Sequence, residues 1–171
     1  RFIPFVKGFS LETRANFDYT FQFDAGFTVQ SSKFNTAVFN IDGLAPERRF
    51  LRTPNTYGYA TFSYTPTKNW TLSSNIVYTG PMLLTHFAGE NTGQNVDQYF
   101  RTKSFTDLGF RIGHTFNFSK VKTGLEVFSG FKNVFDAYQQ NFDLGKNRDS
   151  NFVYGPSIPR TFVFGVKLKS I

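Results

Sequence analysis

The sequence predicts an all-β protein, and more narrowly a transmembrane antiparallel β-barrel. Two observations lead to this prediction. Apolar side chains occupy every second position over long stretches, as in residues 21–30, so each stretch has one apolar and one polar face. The connections between these stretches are alternately very short and long. This rhythm is typical of barrels that cross a membrane, which have turns at one end and long loops at the other.

Four strands are predicted in the first half of the chain. In the first strand Phe9, Leu11 and Phe17 share one face, and Glu12 and Arg14 lie on the other. The second strand continues the same alternation, the third has a less regular pattern, and Trp70 opens the fourth. The intervening long loop is rich in Asn, Asp, Gly and Pro, which form turns or break strands. The predicted strands are 5–17, 21–34, 57–64 and 70–78, with short turns at 18–20 and 65–69 and a long loop at 35–56.

Three further strands are predicted in the second half. The first of them has the clearest pattern of the whole chain, since Leu108, Phe110 and Ile112 lie on one face and Asp107 and Arg111 on the other. Glycines and prolines punctuate the long connections. The predicted strands are 105–118, 125–131 and 161–169, with long loops at 80–104 and 134–160 and a short connection at 119–124.

Seven strands cannot close a membrane barrel by themselves. An open edge in lipid leaves backbone groups unpaired, and bacterial single-chain barrels have an even number of strands, at least eight. The first and last strands are therefore expected to pair with chain outside this sequence. The sequence also starts at Arg1 without an initiator Met or an apolar signal segment, so we expect a processed protein or a piece of a longer one.

Composition agrees with strands that show one face to lipid and the other to water. The 171 residues include 24 Phe but one Met, one Trp and no Cys, and the mean hydropathy is only −0.30. No apolar run approaches the roughly 18 residues of a transmembrane helix, and without Cys there is no disulfide framework or thiolate metal site. The net charge of +7 comes from scattered Lys and Arg, which argues against a nucleic-acid-binding segment.

Several short motifs, taken in order, resemble one family. The chain is similar over nearly its whole length to the C-terminal end of TonB-dependent outer-membrane receptors, especially those of Bacteroidetes. One departure is the end Lys169-Ser170-Ile171, where family members often have an aromatic residue. The motifs are Leu51-Arg52-Thr53-Pro54 with Tyr57-Gly58-Tyr59, Tyr78-Thr79-Gly80-Pro81-Met82, Lys132-Asn133-Val134-Phe135, Asn147-Arg148-Asp149-Ser150, Tyr154-Gly155-Pro156 and Pro159-Arg160-Thr161.

The resemblance implies that residues 1–171 are the last seven or so strands of a 22-stranded barrel that encloses a plug. It implies a bacterial outer-membrane location and active import of a scarce, bulky nutrient with energy supplied through TonB. The implied partners are the rest of the barrel and the plug, the TonB complex through an N-terminal region absent here, the lipid and lipopolysaccharide membrane, and a surface lipoprotein lid. Siderophore, cobalamin, glycan and peptide are the ligand alternatives, with cobalamin or an iron chelate preferred from the Tyr78–Met82 motif.

The residues predict neither catalysis nor a cofactor. The two histidines, His86 and His114, are 28 positions apart and have no companion cluster at a metal-ligand spacing. His114 is expected to be an interfacial aromatic. Neither histidine accompanies a nucleophile elbow, and strand serines such as Ser63 and Ser74 have no partner visible in sequence, so no enzyme is predicted.

Ligand binding is predicted in the second and last long loops, where aromatic and polar residues mix. Such a mixture suits a ligand that is both apolar and hydrogen-bonding, although any solvent-facing loop has a similar composition. Two other interpretations of the whole chain stay open: a passive porin or structural outer-membrane barrel, and a soluble β-sandwich binding module. The predicted ligand residues are His86, Asp97, Tyr99, Arg101, Arg148 and Tyr154.

Overall fold

A computed structural model describes residues 2–89 and 95–170 and confirms the all-β fold. Seven strands form one antiparallel sheet in the order β1-β2-β3-β4-β7-β8-β9, and β5 and β6 form a separate small sheet. A 3₁₀ turn, Ser119–Val121, precedes β8. The strands are β1 Pro4–Phe17, β2 Phe21–Phe34, β3 Thr56–Thr67, β4 Trp70–Thr79, β5 Leu83–His86, β6 Gln98–Arg101, β7 Phe105–Phe118, β8 Thr123–Lys132 and β9 Thr161–Ser170.

Each strand of the large sheet lies beside its neighbours in sequence, so the long and short connections separate to opposite edges. We call these the loop edge and the turn edge. Loop 1 (35–55), loop 2 (80–104) and loop 3 (133–160) leave the loop edge. The first turn is tight because Asp18 and Tyr19 both have positive φ, 48° and 57°, a backbone shape that matches the twist of a hairpin.

Most strand bounds lie within two residues of the prediction, but two predicted connections differ from the structure. The third strand was expected to end at Tyr64, but β3 continues to Thr67 with a register shift against β4 between these two residues. The irregularity accommodates Pro66, which has no N–H to donate to a regular ladder. Loop 2 was expected to contain no strand, but it contains the β5–β6 hairpin, in which Leu83 pairs with Arg101. Four-residue strands are too short to show an alternating pattern.

The register of the large sheet keeps polar residues beside polar residues. Arg14 lies opposite Asp24, and Ser63 opposite Ser73. The other face is apolar and bare, with Phe164 64% and Leu168 73% exposed. Side chains pack on this face only with their neighbours along the sheet. The apolar residues exposed on this face include Phe5, Phe9, Leu11, Phe17, Phe27, Val29, Ile76, Phe110, Phe116, Phe118, Phe131, Phe162, Phe164, Val166 and Leu168.

The hydrophobic core lies at the loop edge. Among the described residues, the large apolar side chains that are buried are Leu84, Phe105 and Phe152, in β5, at the start of β7 and in loop 3. Of these three side chains, only Phe105 belongs to a strand of the large sheet. The sheet therefore needs a surrounding that covers its two faces.

The sheet is open. Its outer strands β1 and β9 do not pair with each other, so the described residues do not close into a barrel. An unpaired strand edge presents backbone donors and acceptors to any strand that can lie beside it. None of the described residues forms a helix with the length and apolarity needed to cross a membrane.

Candidate ligand site at the loop edge

The three long loops pack into one unit, which we call the loop cap (35–55, 80–89, 95–104 and 133–160). Tyr99 Oη of loop 2 donates to the Phe39 carbonyl of loop 1 over 3.3 Å. Arg52 Nη1 of loop 1 donates to the Val153 carbonyl of loop 3 over 3.0 Å. Loops 2 and 3 are joined through Asp149, as described below. The cap is thus a folded body rather than three independent loops.

Phe152 is the centre of the cap. It is 1% exposed, and its ring stacks on the imidazole of His86 with centroids 3.6 Å apart and planes 6° from parallel. Phe100 and Tyr154 contact the same ring edge to face, at 5.2 Å and 5.5 Å between centroids. Aromatic pairs in such arrangements stabilise beyond their area burial. Four rings from loops 2 and 3 therefore form one aromatic cluster.

A hydrogen bond holds His86 in the aromatic cluster. His86 Nε2 lies 3.0 Å and 2.9 Å from the two carboxylate oxygens of Asp143, and both side chains are almost fully buried. Because a carboxylate only accepts hydrogen bonds, Nε2 carries the proton. The backbone N–H of Phe87 donates to Asp149 Oδ2 over 2.9 Å, and the N–H of Asp149 donates to Asp143 over 3.2 Å. These carboxylates join loop 2 to loop 3.

Two buried amides, which the sequence analysis missed, shape loop 3. Gln139 accepts a hydrogen bond from the Tyr154 N–H and donates to the Phe152 carbonyl, at 2.9 Å and 3.0 Å. Asn133 donates to the Ile158 carbonyl and accepts from the Ala137 N–H. Both side chains are 1% exposed. A long loop that folds back on itself must satisfy its backbone hydrogen bonds internally. The Asn and Gln residues of loop 3 were therefore the sequence signal that could have indicated these two positions.

The structure divides the six predicted ligand residues into an inward and an outward set. His86 is buried, while Asp97 accepts from the Ala88 N–H over 2.8 Å and Tyr99 binds the Phe39 carbonyl. Arg101 and Arg148 are exposed at the surface of the cap. His86 and Tyr154 come together through Phe152, which both contact. The neighbouring loop residues Glu90, Asn91 and Gln94 lie outside the described residues.

Tyr154 lines a cleft of about 430 Å³ between the start of β7 and loop 3. Its hydroxyl donates to Asn141 Oδ1 over 2.6 Å, and burial raises the pKa of Tyr154, so the phenol keeps its proton. Lys103 and Tyr138 line the same cleft. Aromatic walls beside an ammonium and amide groups suit a ligand with an apolar surface and hydrogen-bond acceptors.

Gly155 lies against Phe105, one of the residues that line this cleft. Its φ is +81°, and a Cβ built there would lie 2.7 Å from the Phe105 ring. Any other residue would therefore be strained and would push loop 3 away from β7. The glycine lets loop 3 bend inward over the polar face of the sheet, where Phe105 points.

The polar face below the cap carries two groups of ionic contacts. Arg14 and Tyr59 both bind Asp24, at 2.7 Å and 3.0 Å. Glu126 binds Arg111 and Lys169 from the strands on either side of it. Gly26 makes room for the Tyr59 ring, since a Cβ there would lie 2.7 Å from it. A trough of about 590 Å³, lined largely by Ser, Thr, Asn and Gln, runs toward the turn edge.

His114 lies on the apolar face near the turn edge, as an aromatic residue among others. Trp70 and Phe116 each contact it with centroids 4.5 Å away. No three His, Cys, Asp or Glu side chains gather into a metal-binding group in the part of the chain that the structure describes.

Known proteins do not identify this site. No protein-family model matches the chain, and no curated protein sequence matches it.

Loop 1 contains a carboxylate that we expect to make the cap sensitive to acid. Glu47 accepts hydrogen bonds from the Arg49 side chain and from the N–H groups of Arg48 and Arg49. The Arg49 bond is the main cause that lowers the pKa of Glu47 from 4.5 to about 2. A depressed pKa stabilises the folded form above about pH 4.5, and this contribution disappears as the pH falls toward 2. Glu47→Gln should unfold at a lower temperature than the wild type at pH 6, with a smaller difference at pH 3.

The measurement is the thermal unfolding midpoint of both proteins at the two pH values. Asp42→Asn, at the exposed tip of the same loop, controls for the loss of one carboxylate. An unchanged difference between wild type and Glu47→Gln at pH 6 and pH 3 would contradict the prediction.

Proposed function

We propose that this chain is the C-terminal part of a TonB-dependent receptor barrel in a bacterial outer membrane. The receptor imports a scarce, bulky nutrient with energy supplied through TonB. One observation carries the proposal: a seven-stranded antiparallel sheet has a bare apolar face, a polar opposite face, open edges and all its long loops at one edge. Lipid covers the apolar face, and further strands of the same receptor pair with β1 and β9.

Exposure of the apolar face supports the membrane setting. Aromatic side chains are exposed on successive strands of this face: Phe110, Phe131 and Phe162 are 41%, 44% and 60% exposed. Apolar patches this extensive are rare on soluble monomers. A β-sandwich would cover such a face with a second sheet, and no second sheet lies on it among the described residues. Lipid chains cover it without a partner.

The polar face and the loop cap support a receptor. In a plugged barrel, the polar face contacts the plug or lines the solute path, a role that suits the Arg14–Asp24 and Arg111–Glu126–Lys169 contacts. The cap places the cleft beside Tyr154 at the mouth of that path. Exposed Arg101 and Arg148 are available to an arriving ligand, and His86 serves the same site by holding Phe152 in place.

A passive porin has the same strand architecture, so the test must show whether import of the nutrient requires an energy supply. Cells that produce the full-length protein are given radiolabelled cyanocobalamin or a labelled ferric siderophore, with and without a protonophore. We expect the protein in the outer-membrane fraction, and accumulation that the protonophore abolishes. The coding sequence upstream of Arg1 should specify a plug domain.

The possible contrary results are specific. An upstream region that encodes only strands, or accumulation that persists with the protonophore, would indicate a porin. Recovery of the purified chain in solution without detergent would indicate a sandwich. Either result would overturn the receptor proposal.

A further inference from the structure

A cationic cavity lies on β1 and β2 at the loop edge. It has a volume of about 310 Å³, and Lys7, Lys33 and Arg48 all line it. Phe5 and Ser31 are among its other lining residues, and none of the seven lining residues, all within the described ranges, is a carboxylate. Three cations that share one cavity without a carboxylate repel one another, so an anion placed between them is stabilised. We call this cavity the basic pocket.

The basic pocket is continuous with the apolar face. Phe5 lies opposite Lys33 in the β1–β2 register, and Lys7 lies opposite Ser31. Along β1, Lys7 precedes Phe9 and Leu11 at alternate positions, so all three side chains belong to the same face. Phe9 and Leu11 are 69% and 63% exposed. A molecule bound in the pocket thus meets cations at one end and apolar side chains along the rest of the strand.

The carboxylate that precedes Arg48 in the chain does not neutralise the pocket. Glu47 is occupied by the Arg49 guanidinium and by backbone N–H groups. Arg48 donates Nε to the Phe34 carbonyl over 3.3 Å, which fixes its guanidinium at the pocket. Hydrogen bonds within the described residues do not use the terminal nitrogens of Arg48. Its two Nη groups can therefore bind two oxygens of a ligand.

We propose that Lys7, Lys33 and Arg48 bind the phosphate group of a phosphorylated membrane lipid, whose acyl chains lie along Phe9 and Leu11. This assignment rests on the proposed function, because an outer-membrane barrel with its long loops outward places the loop edge at the headgroups of the outer leaflet. A phosphate carries up to two negative charges and three acceptor oxygens, which match three cations. The adjoining apolar row selects an amphiphile over a free anion.

The test uses the full-length receptor in detergent, titrated with mixed micelles that contain diphosphorylated lipid A. The variant Lys7→Gln/Lys33→Gln/Arg48→Gln should bind this lipid on the order of a hundredfold more weakly, since each cation near an anionic lipid surface contributes about one factor of five. Dephosphorylated lipid A should bind the wild type about as weakly as the phosphorylated lipid binds the variant. Inorganic phosphate alone should bind far more weakly than the phosphorylated lipid.

A matched control removes three cations from the turn edge. It is Lys68→Gln/Lys120→Gln/Lys122→Asn, in which Asn is chosen because residue 122 has a positive φ of 49°. This variant should keep wild-type affinity, whereas Arg48→Lys should bind more weakly than the wild type, because a lysine keeps the charge but cannot place two N–H groups on two phosphate oxygens. Retained affinity in the turn-edge control separates charge in the basic pocket from the total charge of the protein.

Three results would overturn the lipid site. These are equal weakening in the pocket variant and the turn-edge control, equal binding of phosphorylated and dephosphorylated lipid, or inorganic phosphate binding as tightly as the lipid. Each is measured on a protein already recovered from the outer-membrane fraction. A protein that never reaches that fraction instead refutes the proposed function, so the two failures are distinguishable.

Discussion

Replacement of Phe152 with alanine is expected to release the three long loops from one another while the seven-stranded sheet stays paired. Phe152 is 1% exposed and contacts His86, Phe100 and Tyr154. Truncation of a buried phenylalanine to alanine costs about 3–5 kcal/mol, because contacts are lost and a cavity is left. This cost falls on the loop cap, since Phe152 contacts the cap and not the middle of the sheet.

Limited proteolysis of the intact receptor measures the effect. Protease should cut the loops of Phe152→Ala much faster than those of the wild type, and the strands should stay protected in both. Phe142→Ala is the matched control, because Phe142 lies in the same loop but is 49% exposed. Equal cleavage rates in Phe152→Ala and Phe142→Ala would show that Phe152 does not hold the cap together.

An arginine at position 110 should impair assembly of the sheet in a membrane. Phe110 lies near the middle of β7 on the apolar face and is 41% exposed. If lipid covers that face, a cation there costs about 2–4 kcal/mol. In water the same exposed position would tolerate arginine at little cost. Phe110→Arg therefore separates the membrane proposal from the soluble alternative.

The measurement is the urea concentration at which the full-length protein unfolds from lipid vesicles. Thr61→Arg is the control, because Thr61 is exposed near the middle of β3 on the polar face, opposite Asp24. We expect a lower midpoint for Phe110→Arg and a near-normal one for Thr61→Arg. Similar midpoints for the two variants would mean that the apolar face does not meet lipid.

The long strands could be predicted from sequence because apolar and polar residues alternate along the whole length of each. β2 and β7 begin and end at the predicted residues, Phe21–Phe34 and Phe105–Phe118, since alternation over 14 residues leaves one consistent face. β3 was less predictable. Pro66 looks like a turn residue in any short window, and only the partner strand shows that a register shift absorbs it.

The candidate site was harder to predict because its residues meet across long sequence separations. His86 and Asp143 are 57 positions apart, and Arg52 and Val153 are 101 apart. No periodicity links such pairs. His86 and Tyr154 stand out in the sequence for their chemistry, but Phe152, which joins them, is one phenylalanine among 24. The basic pocket was also missed, because Lys7, Lys33 and Arg48 come from three separate segments and looked like scattered charge.

The small β5–β6 hairpin changes how quickly the sheet can be completed. β4 ends at Thr79 and β7 begins at Phe105, so their pairing must close a long chain segment, which costs conformational entropy and slows folding. The hairpin brings Met82 within 2.9 Å of Thr102 through reciprocal hydrogen bonds. Once this local hairpin has formed, only a few residues on each side separate β4 from β7. The hairpin inside loop 2 thus lets β4 and β7 pair quickly, although a long chain segment separates them.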